Sequence, residues 1–214
     1  MAKPKQSTGN FKKPDEGFYR ARCFIIADLG TQKGSWNGKE TLKRQEYFGF
    51  ELPDEMEEFD GVEKPLMVSI RHTNTMSTQG NLKGFLEDWR SHPFSEEEIN
   101  NIDFFLFGGK SAWIKIKHSD DGKYANIDSI SPIPKEIKNK QGKITQVAQE
   151  QPPRCFNKQV YFDLDEDCFI GGFGDKFKVS RQDAFDALFP WMQKKILESP
   201  EGMESDLKIG GDST

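Results

Sequence analysis

The chain has 214 residues, a formal net charge of −5, 35% hydrophobic and 30% charged residues. No run approaches the roughly 18–20 apolar residues of a membrane helix, and Met1-Ala2-Lys3-Pro4-Lys5 is followed by no apolar stretch of a signal peptide. Cys23, Cys155 and Cys168 are too few and scattered for a disulfide scaffold. They lack the CxxC or nearby His of a zinc site, so the chain reads as intracellular and reduced, with no metal or other cofactor. Overall acidity excludes a purely electrostatic coat for nucleic acid but leaves room for a local basic groove.

Residues 1–16 carry Lys, Pro and Gly without periodicity and read as a flexible basic arm. Alternation over 18–27 predicts a strand with Tyr19, Ala21, Cys23 and Ile25 on one face and Arg20 and Arg22 on the other. A loop rich in Gly, Lys and Asn follows over 30–38, with Trp36 near its tip. The second strand covers 41–52, where Leu42, Arg44, Glu46, Phe48 and Phe50 alternate with Lys43, Gln45, Tyr47 and Gly49. After an acidic connection over 54–63, Leu66, Val68 and Ile70 share one face of a third strand over 66–73. Leu82, Phe85, Leu86 and Trp89 recur at helical spacing. Ser95 and Glu98 form a capping box, with Phe94 and Ile99 placed as its hydrophobic staple. A fourth strand covers 111–118, Asp120-Asp121-Gly122-Lys123 turns the chain, and a fifth covers 124–130 with Ala125, Ile127 and Ser129 opposed to Asn126, Asp128 and Ile130.

This β-β-β-α-β-β order over 17–134 predicts a mainly β protein with an OB-fold-like five-stranded barrel and helices between strands 3 and 4. Another small antiparallel barrel or sandwich with an inserted helix fits the same order. A basic linker (135–153) leads to a small α/β C-terminal extension (154–199). It holds a short strand over 160–164, a turn at Gly171-Gly172-Phe173-Gly174, and a helix capped by Ser180. Ala184, Phe185, Leu188, Met192 and Ile196 line one side of that helix, which Pro190 kinks or splits. That apolar face must pack on the barrel, on a second copy of the chain in a homo-oligomer, or on a partner. Residues 200–214 read as a disordered acidic tail.

Gly17-Phe18-Tyr19-Arg20-Ala21-Arg22, Asp28-Leu29-Gly30-Thr31-Gln32, Tyr47-Phe48-Gly49-Phe50-Glu51-Leu52-Pro53, the run from Asn81 to Arg90, and Tyr124-Ala125-Asn126-Ile127 resemble a group of small bacteriophage-encoded proteins. Some of these look like OB-fold single-stranded DNA-binding replication proteins. The resemblance covers residues 17–134 and is one of pattern. It implies a phage protein of DNA replication or recombination, acting in the cytoplasm of the infected bacterial host. It also implies that an acidic tail competes with DNA and recruits replication proteins.

An OB barrel holds single strands by stacking bases on aromatic rings while Lys and Arg track the phosphates. The candidate nucleic-acid-binding residues are Arg20 and Arg22 of strand one, Trp36, Lys39, Lys43 and Arg44 of the first loop and second strand, Arg71 of strand three, and Trp113, Lys115 and Lys117 of strand four. Trp36, beside Gly and Lys, is the most suggestive. Against this, Trp36 can pack on a barrel edge, the cations can be ordinary solvated faces, and Tyr47 and Trp113 read equally well as core. Catalytic signals are weak. His72, His92 and His118 form no HExxH, no GxSxG occurs, and Gly171 to Lys176 lacks the P-loop spacing. The acidic clusters at 54–58 and 163–167 lack a calcium-loop pattern and read as solvated faces. The expected function is non-catalytic coating of single-stranded DNA. The alternative is an interaction module that binds and modulates a host or phage enzyme through the C-terminal helix and tail. A nuclease is a distant third.

Overall fold

The expected first loop is mostly strand, because its turn needs only two residues. In the computed structural model, which describes residues 12–59, 61–134, 137–138, 144–146, 150–172 and 175–210, β1 (Gly17–Trp36) and β2 (Lys39–Phe59) pair antiparallel from Arg22 opposite Glu51 to Trp36 opposite Lys39. Asn37 and Gly38 join them with φ of 49° and 73°, the left-handed pair that a two-residue hairpin turn requires and that Asn-Gly supplies at little cost. β3 (Val62–Thr73) continues the antiparallel meander.

The helical insertion falls where the spacing placed it. α1 (Asn81–Arg90) buries Leu82, Phe85, Leu86 and Trp89. α2 (Glu96–Asn100) starts with the expected capping box, the Ser95 side chain accepting from the Glu98 N–H and the Glu98 carboxylate from the Ser95 N–H. A 3₁₀ turn (Phe104–Phe107) leads into β4 (Ser111–His118) and β5 (Ala125–Ser131). Short strands β6 (Ile137–Lys138) and β7 (Ile144–Gln146) pair with each other inside the expected linker, most of which lies outside the described residues.

The chain is mainly β, and its large sheet is open and mixed. β2 covers one edge of β1. On the other edge β4 pairs with Gly17–Arg22 of β1, and β8 (Gln159–Phe162) then runs parallel to Ile25–Ala27. β9 (Cys168–Gly172) and β10 (Asp175–Val179) extend the sheet beyond β8. Residues 173 and 174 of the expected glycine turn lie outside the described residues. Among the described residues no ladder joins β3 to β5, so the five strands do not close on themselves through hydrogen bonds.

Two hydrophobic cores share β1 and β2. The first packs Ala21, Cys23, Ile26, Phe48, Phe50 and Leu52 against α1, β3, β4 and β5. The second packs Phe24, Ile25, Ala27, Leu29 and Tyr47 against β8 and the C-terminal helices. The register of β1 against β2 shifts between Cys23 and Ile25. Such a bulge moves every later residue to the opposite face. It corrects the expected face: Ile25 leaves Cys23 for the second core, and Ile26 takes its place in the first. β5 has the same correction. A shift opposite Lys115 and Ile116 puts Ile130 in the first core, beside Ile114, although plain alternation set it against Ala125 and Ile127.

The C-terminal extension is part of this assembly. α3 (Arg181–Asp186) is capped by Ser180, and Pro190 in the first turn of α4 (Pro190–Leu197) divides the expected helix in two. Ala184, Phe185, Leu188, Met192 and Ile196 are all buried in the second core, so the apolar helix face packs on this chain's own sheet. Polar clamps lock the contact. Buried Glu51 accepts from the N–H groups of Phe156 (2.6 Å) and Asn157 (2.9 Å) and from Asn157 Nδ2 (2.8 Å). Arg22 donates to the carbonyls of Gly109, Pro152 and Pro153.

The expected disordered tail is ordered as far as residue 210, while 211–214 lie outside the described residues. α5 (Pro200–Glu204) is capped by Ser199, the Glu201 carboxylate accepts from Thr31 N–H (2.8 Å) and Oγ1 (2.5 Å), and Leu207 is buried. Of the tail's acids, Glu201 holds β1 through Thr31. Among the described residues no helix is long and apolar enough to cross a membrane. Deleting 200–214 removes the Leu207 burial and the Glu201 clamp. It should lower the melting temperature by roughly 5–10 °C. An unchanged melting temperature in a thermal scan by circular dichroism would mean that this segment adds nothing to the fold.

Candidate nucleic-acid interface

Where β3 and β5 run near each other without pairing, a groove of about 1140 Å³ opens. Leu66, Val68 and Ile127 contribute apolar walls. Its cations come from three separate stretches: Lys12 and Lys13 before β1, Lys64 and Arg71 on β3, and Lys123 ahead of β5. Met67, Ser69, Tyr124, Asn126 and Asn157 also line it, and among the described residues no carboxylate does. Tyr124 is 66% exposed. It is held by its backbone, whose N–H meets Ser119 Oγ (3.0 Å) and whose carbonyl accepts from Ser119 N–H (2.9 Å).

The cations differ in their availability. Lys12 meets Glu57, which raises its pKa, and Lys123 meets Asp121 at 3.1 Å. Such exposed pairs are weak and yield readily to a phosphate. Lys13 donates to the Gly122 carbonyl and keeps its net charge. Lys64 and Arg71 are exposed and have no carboxylate partner among the described residues.

The ten residues expected from the sequence fall in three places. Arg71 lies in this groove. Arg20, Arg22, Trp113, Lys115 and Lys117 come together on the outer face of the β1–β4 pair, where Arg20 sits opposite Trp113. Phe18 joins them, stacked on Trp113 at 6.0 Å with Lys115 Nζ 5.8 Å from its ring. The cations of this face already have partners. Arg20 grips Asp54 through two bonds of 2.6 and 2.7 Å, Arg22 holds the three carbonyls named above, and Lys115 and Lys117 both pair with Asp128. Lys39 and Lys43 are exposed on the distal β1–β2 hairpin, where the Trp36 backbone pairs with Lys39. The Trp36 side chain lies outside the described residues. Arg44 is bound by Asp28 and by Asp165 (2.6 Å).

Asp28 belongs to a buried row. Asp28 of β1, Glu46 of β2 and His72 of β3 are register partners across three strands. Asp28 is 0% and Glu46 1% exposed. Burial pushes both carboxyls up, Glu46 well above its ordinary 4.5, and the neighbouring Asp28 adds to the Glu46 shift. Glu46 accepts only a bond of 3.2 Å from Asn74 Nδ2, whereas Asp28 has Arg44 and the Gly30 N–H. His72 packs on Phe85, and burial lowers its pKa to about 4.

Among the described residues no three His, Cys, Asp or Glu side chains converge as metal ligands. The 163–167 cluster is spent locally: Asp163 accepts from the N–H groups of residues 165 and 166, Asp165 pairs with Arg44, and Asp167 pairs with Lys178. No family model, no curated protein and no solved structure matches this chain.

The buried row sets a pH dependence. Above about 4.5 the unfolded chain releases the Glu46 proton that the folded chain keeps, so stability falls as pH rises. His72 acts at the other end: between about 6.5 and 4 the unfolded chain binds a proton that the folded chain excludes, so stability falls as pH drops. Glu46→Gln keeps an acceptor for Asn74 and removes the alkaline limb. It should stabilise the protein by about 1–3 kcal/mol at pH 8 and change little at pH 4. Urea titrations at both pH values check this. A destabilised variant at pH 8 would mean that the ionised carboxylate is a stabilising group.

Proposed function

We propose that this chain binds single-stranded DNA without catalysis, as an OB-fold-like unit whose third and fifth strands stay apart to form the binding groove. One observation carries the reading: five cations from three separate stretches converge on one groove with an exposed Tyr and, among the described residues, no lining carboxylate. Phosphates would meet Lys13, Lys64 and Arg71, and a base would stack on Tyr124, a contact contributing about 1–3 kcal/mol. The acidity of the rest of the chain fits a groove that concentrates positive potential locally. The resemblance noted from the sequence gives the setting: phage DNA replication or recombination in the host cytoplasm. The alternative interaction-module reading drew on local acidity and on the apolar C-terminal helix face; of these, the helix face is covered by the chain's own sheet.

Fluorescence anisotropy with labelled oligo-dT tests the reading. Binding should be measurable at about 50 mM salt and micromolar protein, stronger than to a duplex, and should weaken as salt rises. The double variant Lys64→Ala/Arg71→Ala should bind more weakly. Its slope of log affinity against log salt should be smaller by about 1.4, two phosphate contacts at roughly 0.7 each. Both side chains are exposed, so the melting temperature should hold. No oligonucleotide binding by the unaltered protein, or an unchanged slope in the variant, would remove the groove as a DNA site.

A further inference from the structure

The C-terminal extension adds an aromatic surface next to this groove. Trp191, in the first turn of α4, is 43% exposed although it is among the largest apolar side chains of the protein. Its ring contact is Tyr47, edge to face at 5.4 Å and 66°. Tyr47 is the register partner of Arg71, so Trp191 stands over the strand next to Arg71, one strand spacing of about 4.8 Å away. Gly49 has no side chain, and a Cβ there would lie 2.2 Å from Ile25 Cγ2 and 3.0 Å from Tyr47 Cε1. The edge of the Tyr47 ring therefore lies over Gly49, whose register partner is Ser69, a groove residue.

α4 holds the Trp firmly. Pro190 fixes the start of the helix, the Met192 N–H returns to the Phe189 carbonyl at 2.8 Å, and Met192 and Ile196 are fully buried. Lys194 and Lys195 lie three and four residues after Trp191, on the same side of the helix. Cations on both sides of an exposed, rigid indole match what a stacked nucleotide needs, a π-face for the base and positive charge for its phosphates.

We infer that Trp191 stacks on a base of the single strand as it leaves the groove past Arg71, so that the extension completes the DNA path. The inference rests on the proposed function. Trp191→Ala in the full chain should weaken oligo-dT binding roughly 5- to 150-fold. The salt slope should not change, because no phosphate contact is lost. Trp191→Phe, which keeps a ring, should recover most of the affinity. In ¹⁵N-Trp-labelled protein, the indole N–H signal that Trp191→Phe removes should shift when oligo-dT is added to the unaltered chain.

If the unaltered protein binds oligo-dT, equal affinity of Trp191→Ala overturns this inference and leaves the groove reading intact. If the unaltered protein does not bind, both fall. If Trp191→Ala folds poorly, the indole signal decides: a shift on adding oligo-dT supports stacking, and no shift overturns it.

Discussion

Both cores hang on β1. One strand of twenty residues carries the wall of the first core up to Cys23, and through the bulge at Phe24 it turns Phe24 and Ile25 together to the other side. Without that extra residue, Ile25 would stay on the face of Cys23 and Ile26 would turn to the second core. With it, Phe24, Ile25, Ala27 and Leu29 face the second core, Cys23 and Ile26 face the first, and all six are buried. A change that removed the bulge would exchange the faces of everything after it. Neither core could then keep its contents.

The covered second face explains why the C-terminal extension is part of the molecule. Each large side chain it buries contributes about 1.5–3 kcal/mol. Phe185, Leu188, Met192 and Ile196 do so against β1 and β8. Glu51, Arg22 and Thr31 then fix its position through hydrogen bonds that leave few polar groups unpaired. The extension takes the outer face of β1 from Phe24 to Leu29 and that of β2 at Tyr47, and leaves that of β3, with Met67, Ser69 and Arg71, open beside the gap toward β5. The surface available to a nucleic acid is therefore set by which strand faces the helices leave free.

Much of this was legible in the residues. Helical spacing found α1, the capping box marked α2, and Pro190 marked the break between α3 and α4, because these signals are local. The two bulges were not legible, since an extra residue in a strand is defined only against its partner. The parallel pairing of β8 with β1 was hidden for the same reason. Of the expected site residues, Arg71 reached the groove. Arg20, Arg22 and Arg44 turned out to have carboxylates and carbonyls from distant segments, which no spacing reveals. Lys64, Lys123 and Tyr124 were missed although Lys123-Tyr124 sits beside a readable turn. β3 and β5 are far apart in sequence, and only the three-dimensional path brings them to one groove.

The central claim is that a single strand lies between β3 and β5. Photo-cross-linking the full chain to oligo-dT carrying 5-iododeoxyuridine, with the adducts located by mass spectrometry, tests it most directly. Adducts on Tyr124 and Met67 are the expected result. Adducts confined to the distal hairpin around Trp36 and Lys39, or to Phe18 and Trp113 on the β1–β4 face, would contradict it and move the site elsewhere.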